Sequence, residues 1–402
     1  MSIVVQKYGG TSMADSNCIK NVAEKVVRAK RAGQKVVVVV SAPAGMTDQL
    51  IGRAKEIVEK PSGRELDMIL ATGEQISISL LAMAIKSLGE EAISFTSAQV
   101  GIFTDKNHNK AKIEAIDTSK VQMALEAGQV VILAGFQGVT KDLEITTLGR
   151  GGSDTSAVAI GVALKADEVE IYTDVDGIYT ADPRLVPNAK KIARITFEEM
   201  LEMAGAGAKV LHLRSVELAA KNHIPIHLRS SFSDAEGTYV TDEEVSMEQA
   251  VVRGVAHSTN SSKITIANIE ANSANIASIF NKISDANINV DVITQNYVSK
   301  DRMTLSFTVA NEEYDHALRL CKDLGKSLKA ESVSGIEKVA KVSIIGVGMK
   351  TSPGVAAKVF QCLANKGVTI DMISTSDITI TCVVGHEDYG KAVLAIHEAF
   401  EL

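Results

Sequence analysis

Lys7-Tyr8-Gly9-Gly10-Thr11-Ser12 is the first group in the chain whose residue types and spacing carry chemistry. Two adjacent glycines let a backbone turn sharply and leave its N–H groups unobstructed. A lysine beside them adds a mobile full charge, and the combination suits a phosphate. The spacing matches neither G-x-x-x-x-G-K-[ST] nor G-x-G-x-x-G, and on its own a glycine pair is better explained by an ordinary turn between a strand and a helix. The run Thr146-Thr147-Leu148-Gly149-Arg150-Gly151-Gly152-Ser153-Asp154 weighs more. Arg150 is suited to gripping a carboxylate with two hydrogen bonds, and Asp154 to holding an ammonium or orienting Lys7. Ser153 or Asp154 would also serve as a plain helix N-cap, but capping does not call for three glycines and an arginine in four positions. A third run, Thr173-Asp174-Val175-Asp176-Gly177-Ile178-Tyr179 continuing to Asp182-Pro183-Arg184, offers hydroxyl, carboxylate, aromatic and guanidinium groups suited to a nucleotide. Its Asp-Gly and Asp-Pro pairs are also common turn formers. Lys209, after Gly205-Ala206-Gly207-Ala208, is either one more cation for phosphate or a surface lysine.

Such groups act only if regular elements hold them together. Ser2 to Gln6 contains three β-branched apolar residues in a row and reads as a buried strand; Ile19, Val22, Ala23 and Val26 then recur at helical spacing until Gly33. A helical pattern from Thr155 to Leu164 follows the second glycine-rich run, and Thr196 with Glu199 forms a capping box that opens another helix. Strands are expected at Lys35 to Ser41, Ala92 to Thr96, Val130 to Phe136, Glu168 to Thr173 and Ile224 to Leu228. This alternation over the first 230 residues or so implies a three-layer α/β domain with a mainly parallel sheet. In that architecture ligands sit beyond the carboxyl ends of strands, where the Gly, Ser, Thr and Asp clusters fall.

The 402 residues, 46% hydrophobic and 23% charged, can build large cores and more than one domain. No basic leader precedes the first strand, and apolar runs such as Val36 to Val40 are far shorter than the roughly 18 residues of a membrane span. A cytoplasmic protein with no membrane partner is therefore expected. Four cysteines, Cys18, Cys321, Cys362 and Cys382, have no C-x-x-C pairing, and eight scattered histidines lack ligand spacing, so neither a disulfide framework nor a zinc site is implied. A net charge of −7, no basic tract and no Trp argue against a nucleic-acid partner.

Taken in order, Lys7 to Ser12, Ser41 to Asp48, Thr72-Gly73-Glu74-Gln75, Thr146 to Asp154 and Thr173 to Arg184 resemble the amino-acid kinase superfamily, and within it the aspartate kinases. The resemblance covers essentially the whole chain, and its sharpest element is the pairing of the first glycine run with the second. It implies transfer of the ATP γ-phosphoryl group to the side-chain carboxylate of L-aspartate, giving 4-phospho-aspartate for lysine, threonine and methionine synthesis. Lys7, Asp154 and Lys209 would be catalytic. Ser41, Thr47, Glu74, Phe136, Arg150 and Asp154 would bind the substrate. ATP would be held by Lys7, Gly9, Gly10, Thr11, Ser12, Thr173, Asp174, Tyr179, Arg184 and Lys209, with Mg2+ carried on its phosphates and no protein side chain as metal ligand. Two other classes compete with this reading: a kinase for glutamate or N-acetylglutamate, and an inactive kinase-like sensor of amino acids. Retention of Lys7, Glu74, Arg150, Asp154 and Lys209 disfavours the sensor.

The C-terminal part carries a duplication. Residues 278–294 align without a gap on 358–374, so that Phe280 meets Phe360, Asp291 meets Asp371 and Ile293 meets Ile373. Each copy reads strand, loop, helix, strand and resembles the ACT domain, a βαββαβ module that pairs side by side and binds free amino acids. The expected division is a kinase domain over 1–245, a first ACT domain over 246–335 and a second over 336–402, with the strand 251–257 completing the second ACT sheet. Tandem ACT copies imply feedback by lysine or threonine and self-association into at least a dimer. The effector positions would be Asn289, Asp291, Gln295 and Asn296 in the first copy, and Met349, Ser352, Gly354, Val355, Asp371, Ser374, Thr375, Ser376 and Asp377 in the second. Ser352-Pro353-Gly354-Val355 becomes Asn272-Ser273-Ala274-Asn275 in the first copy, which favours the second as the binding copy. Leu213 and Asp377 depart from the usual proline and glutamate of relatives. Met247, at the entry to this half, is either an ordinary methionine or an internal start for a small subunit.

Overall fold

The strand expected at the N-terminus is β1 (Ile3–Tyr8), and its central position follows from its composition: Val4, Val5 and Tyr8 are fully buried, so both faces of the strand are covered. Helix α1 (Ser16–Arg31) then returns over the sheet with Ile19, Val22, Ala23 and Val26 facing inward. Asp15 caps it by accepting from the Asn17 and Cys18 amides. β2 (Lys35–Val40), α2 (Thr72–Ser87), β3 (Ala92–Phe95), β4 (Val130–Ala134), α3 (Gly152–Leu164), β5 (Glu168–Thr173), β6 (Arg194–Thr196), β7 (Ile226–Ser230) and β8 (Thr238–Thr241) complete the main layer set.

In this computed structural model, which describes residues 2–208, 210–242 and 251–402, these strands form one eight-stranded sheet in the order β6-β8-β7-β5-β1-β2-β4-β3. All neighbours are parallel except β7 with β8. Tyr8, Val36, Val38 and Val40 pack beneath α1 and the α2 residues Ile78, Leu81 and Ile85. The helical run Arg64–Ser87 is the one described segment long and apolar enough to cross a membrane, a length not anticipated from the sequence. Ile78, Leu81 and Ile85 of this run are used in the core, while Ile76, Leu80 and Met83 are exposed. A small four-stranded sheet of Ile102–Thr104, Ile113–Ile116, Gln137–Val139 and Ile145–Thr147 stands beside the main one and leads into the second glycine run.

Most boundaries fall within one to three residues of expectation, and three of the differences have a clear physical cause. β7 starts two residues late because Pro225 has no N–H to give the ladder. β4 stops at Ala134 because Phe136 adopts φ +67° and turns the chain. A single 3-10 turn, Gly10–Met13, intervenes between β1 and α1, so the first glycine run does not feed the helix directly.

The described chain divides into two compact units, residues 2–178 with 191–204 and 210–242, and residues 179–190 with 205–208 and 251–402. The second unit contains β9 (Gly254–Glu270), α4 (Ser273–Asp285), β10 (Ile293–Ser299), β11 (Arg302–Val309), α5 (Tyr314–Ser327), β12 (Ser332–Ile345), α6 (Val355–Asn365), β13 (Ile370–Thr375), β14 (Thr379–Gly385) and α7 (Tyr389–Phe400). Its sheet runs β10-β11-β9-β12-β14-β13. The long strands β9 and β12 pair antiparallel along their length, Gly254 to Ser258 lying against Lys341 to Ile345. Two cores flank them: one around Ile264, Phe307, Ile279 and Cys321, the other around Val342, Val359, Leu363 and Ile396. Ala181, from the third polar run, and Val186, just after it, pack in the second of these, and Thr180 Oγ1 lies 3.0 Å from the buried His397 Nε2. Met247 lies outside the described residues.

Candidate active site

Lys7 stands near the carboxyl end of β1, and its Nζ lies 2.6 Å from Asp154 Oδ1; the two side chains are only 11% and 14% exposed. The pair joins the first and second glycine runs. Around it is a cavity of about 400 Å³ lined by Lys7, Gly10, Ser41, Thr47, Glu74, Phe136, Gly151 to Asp154 and their neighbours in the 41–48 loop.

Glu74 reaches this cavity because Gly73 lets the start of α2 approach the 41–45 loop. A Cβ on Gly73 would stand 2.7 Å from the Ala42 Cβ. Glu74 Oε1 accepts from the Ala42 amide at 3.1 Å, while its Oε2 is buried with no partner among the described residues. Burial pushes its carboxyl up to about 7. A buried carboxylate with one unanswered oxygen is completed by a cationic ligand group.

The second glycine run forms the other wall. Gly151 takes φ +66° at the N-cap of α3, which has no side-chain cap; the Gly152 amide donates to the Gly149 carbonyl, and the Ser153 and Asp154 amides remain for a ligand. Neither Ser153 nor Asp154 is the cap; both lie within the first turn. A Cβ on Gly151 would meet the His212 ring at 2.1 Å, so glycine is required by space as well as by conformation.

Residues that the sequence reading did not single out hold this wall in place. Asp67 is fully buried in the short helix Arg64–Leu70, and its carboxylate accepts from Thr147 Oγ1, from the Asn109 amide and side chain, and lies 2.7 Å from His108 Nδ1. Arg214 donates to the carbonyls of Leu148 and Ala111. The available signal was a lone aspartate among apolar helical positions in Glu65-Leu66-Asp67-Met68-Ile69-Leu70, which periodicity alone assigns to a solvated face.

Other expected site residues stand as follows. Arg150 is exposed on the Gly149–Gly151 turn and does not line the cavity. The Gly9 amide donates to the Tyr172 carbonyl at 3.3 Å, and Thr11 is exposed. Ser12 is buried against Ser231, with the two hydroxyls 2.5 Å apart. Thr173 donates to the exposed Asp174. Tyr179 and Arg184 belong to the second unit, where Arg184 grips Asp182 with hydrogen bonds as short as 2.7 Å. Lys209 lies outside the described residues. The positive end of α1 is taken by Asp15, whose carboxyl the Cys18 and Asn17 amides hold below the usual range, so this helix end does not serve a phosphate as the sequence suggested.

In the second unit the two expected effector loops differ at their helix starts. Asn272 caps α4 by accepting from the Asn275 amide at 2.8 Å, whereas Gly354, at φ +93°, precedes α6 with no side-chain cap. Asp291 pairs with Lys341, and Gln295 contacts the Met303 sulfur; Asn289 and Asn296 are exposed. Met349 packs against the second core and Val355 is buried, while Ser352 is half-buried and Asp371, Ser374, Thr375, Ser376 and Asp377 are exposed.

A parallel sheet with glycine-lined loops and a lysine-aspartate pair at its strand ends is the frame of a phosphotransferase, and the chain belongs to the amino acid kinase family, whose model matches residues 2–230. An ACT domain matches residues 342–400. Among its relatives is the aspartate kinase of Pseudomonas putida, 48% identical over 403 residues, covering 100% of this chain and 98% of the relative. Escherichia coli aspartokinase III in complex with aspartate and ADP superposes with a TM-score of 0.84 at 28% identity, each chain covered completely. The same enzyme in complex with lysine and aspartate gives 0.76 at 28% identity over 99% of each chain.

Proposed function

We propose that this protein is an aspartate kinase, catalysing ATP-dependent phosphorylation of the side-chain carboxylate of L-aspartate to 4-phospho-L-aspartate. The observation that carries the reading is the shared cavity, which sets the Lys7–Asp154 pair and the uncapped α3 N-terminus across from the unanswered Glu74 carboxylate. The attacking oxygen is already ionised, so the reaction needs no strong base and rests on alignment and charge neutralisation. Lys7 neutralises charge on the transferred group, and Asp154 orients Lys7. Glu74 Oε2 receives the substrate ammonium, and Arg150 swings its exposed guanidinium onto the α-carboxylate. Ser41, Thr47 and Phe136 shape the pocket. Gly9, Gly10, Thr11, Ser12, Thr173 and Asp174 supply one side of the nucleotide site, with Tyr179, Arg184 and Lys209 assigned to it by family likeness. Mg2+ enters as MgATP and shields the phosphate oxygens.

Feedback by lysine or threonine acts through the ACT copies, at the second in particular, because the α6 amides lack a side-chain cap and can donate to an amino-acid carboxylate. The protein self-associates through its ACT sheet and works in the cytoplasm. A small subunit starting at Met247 is a separate reading that only expression of the native gene tests.

ADP release from MgATP is the direct test, with L-aspartate set against L-glutamate, N-acetylglutamate and succinate. Turnover specific to aspartate supports the assignment. Equal or greater turnover with another acceptor, or none with any, overturns it.

A further inference from the structure

The first unit has a second cluster of ionisable groups that phosphoryl transfer does not use. Registers across β1, β5 and β7 set Gln6 and His227 beside Glu170, and Tyr8 and Arg229 beside Tyr172. With the two-residue period of a strand, Glu168, Glu170 and Tyr172 share one face with them. The site lies in the first half of β5, whereas the catalytic loops leave the strands' carboxyl ends.

Glu170 is well held: Gln6 Nε2 donates at 2.7 Å, Arg229 Nη1 at 2.8 Å and the Tyr172 hydroxyl at 3.2 Å. His227 is not. It is only 5% exposed, stacked on Tyr239 at 3.8 Å, and its Nε2 sits 2.5 Å from the Glu236 carbonyl. A carbonyl only accepts, so Nε2 carries the proton and Nδ1 presents a lone pair. That Nδ1 is buried with no hydrogen-bond partner among the described residues, and Glu170 Oε1, another acceptor, is 4.0 Å away. Glu168 completes the set: one ligand atom from each of Glu168, Glu170 and His227 lies within 4.8 Å of the other two. Burial, and then the Glu170 charge, push the Glu168 carboxyl up, while burial holds His227 down.

We propose that Glu168, Glu170 and His227 bind one borderline divalent cation, of the Zn2+ or Co2+ class, linking β5 to β7. A ring nitrogen fixed by a backbone carbonyl on its far side is the usual arrangement of a metal-ligating histidine, and one nitrogen with two carboxylates selects Zn2+ or Co2+ over Mg2+. Arg229 shares Glu170 and so limits the affinity.

The test uses the full-length chain, stripped with chelator and titrated with Zn2+ and Co2+ by equilibrium dialysis, with Mg2+ as competitor. The expected result is one site per chain that excess Mg2+ does not displace, and a rise in unfolding midpoint with Zn2+. Glu168→Gln, at a half-buried position, and His227→Gln each remove that site, while Arg229→Gln tightens binding severalfold. Kinase activity of Glu168→Gln stays at the parent level. No bound ion in the parent chain, or the same stoichiometry and affinity in Glu168→Gln, overturns the proposal.

Discussion

At the residue scale the site turns on Glu74. Its carboxyl is pushed up to about 7 by burial, and its Oε2 has no partner. A group whose folded value is raised adds stability below its unfolded value of 4.5 and loses it as pH rises through 7. In the substrate-free protein, Glu74→Gln should therefore unfold at higher denaturant concentration at pH 8, by about 2–3 kcal/mol, with little change at pH 4. The same change should lower kcat/KM for aspartate by about 10²-fold, since a buried ammonium loses its counter-charge. In the parent, kcat/KM should fall as pH drops below 7, and Glu74→Gln should flatten that limb. A profile unchanged by the substitution would place the titration elsewhere. Motif likeness made Glu74 readable in the chain. Its unanswered oxygen was not, because that depends on what the fold brings to within 3 Å.

At the element scale the wall of the candidate site is a loop held by distant anchors. Asp67, from a different helix, ties together Thr147, His108 and Asn109, and Arg214 holds the Leu148 carbonyl. Asp67→Asn keeps the volume but turns one of the two acceptor oxygens into a donor. We expect about tenfold or greater loss of kcat/KM with native circular dichroism, since small misplacements of a positioning loop cost that much. Gly151→Ala combines a positive φ with a clash against His212 and should cost about 1–3 kcal/mol in stability by urea denaturation, with activity lost alongside. Both glycine runs were legible as chemistry because each carries charged residues beside its glycines, Lys7 in the first and Arg150 with Asp154 in the second. Their division of labour was not: Asp15 occupies the α1 terminus, while α3 is left open, and only caps distinguish the two.

At the scale of the whole molecule, the third polar run is shared. Thr173 and Asp174 end β5 in the first unit, and the chain from Tyr179 to Lys190 is built into the second, with Ala181 and Val186 in its core and Thr180 bonded to His397. The segment is thus covalently continuous between the loop that leaves β5 and a core of the second unit. Lysine or threonine should lower turnover severalfold, corresponding to a coupling of about 1–3 kcal/mol. Thr180→Val should weaken that inhibition while leaving effector-free turnover near the parent's, read from inhibitor titrations of initial rate. Light scattering should give a mass of at least two chains, because β10 and β13 leave Ile293, Tyr297, Val298 and Ile373 exposed.

The sequence by itself determined the α/β alternation, the central buried strands, the two glycine runs and the C-terminal duplication, since each is written as a local pattern of period, punctuation or repeat. Tertiary structure alone decided which of those local groups meet. Lys7 and Asp154 are 147 positions apart, and their ion pair exists because β1 stands next to β5 and α3 packs on the sheet. The Asp67 anchor, the unanswered Glu74 oxygen and the Glu168–Glu170–His227 cluster are likewise products of register and packing. Their chemistry depends on burial and on partners that no single stretch of chain contains.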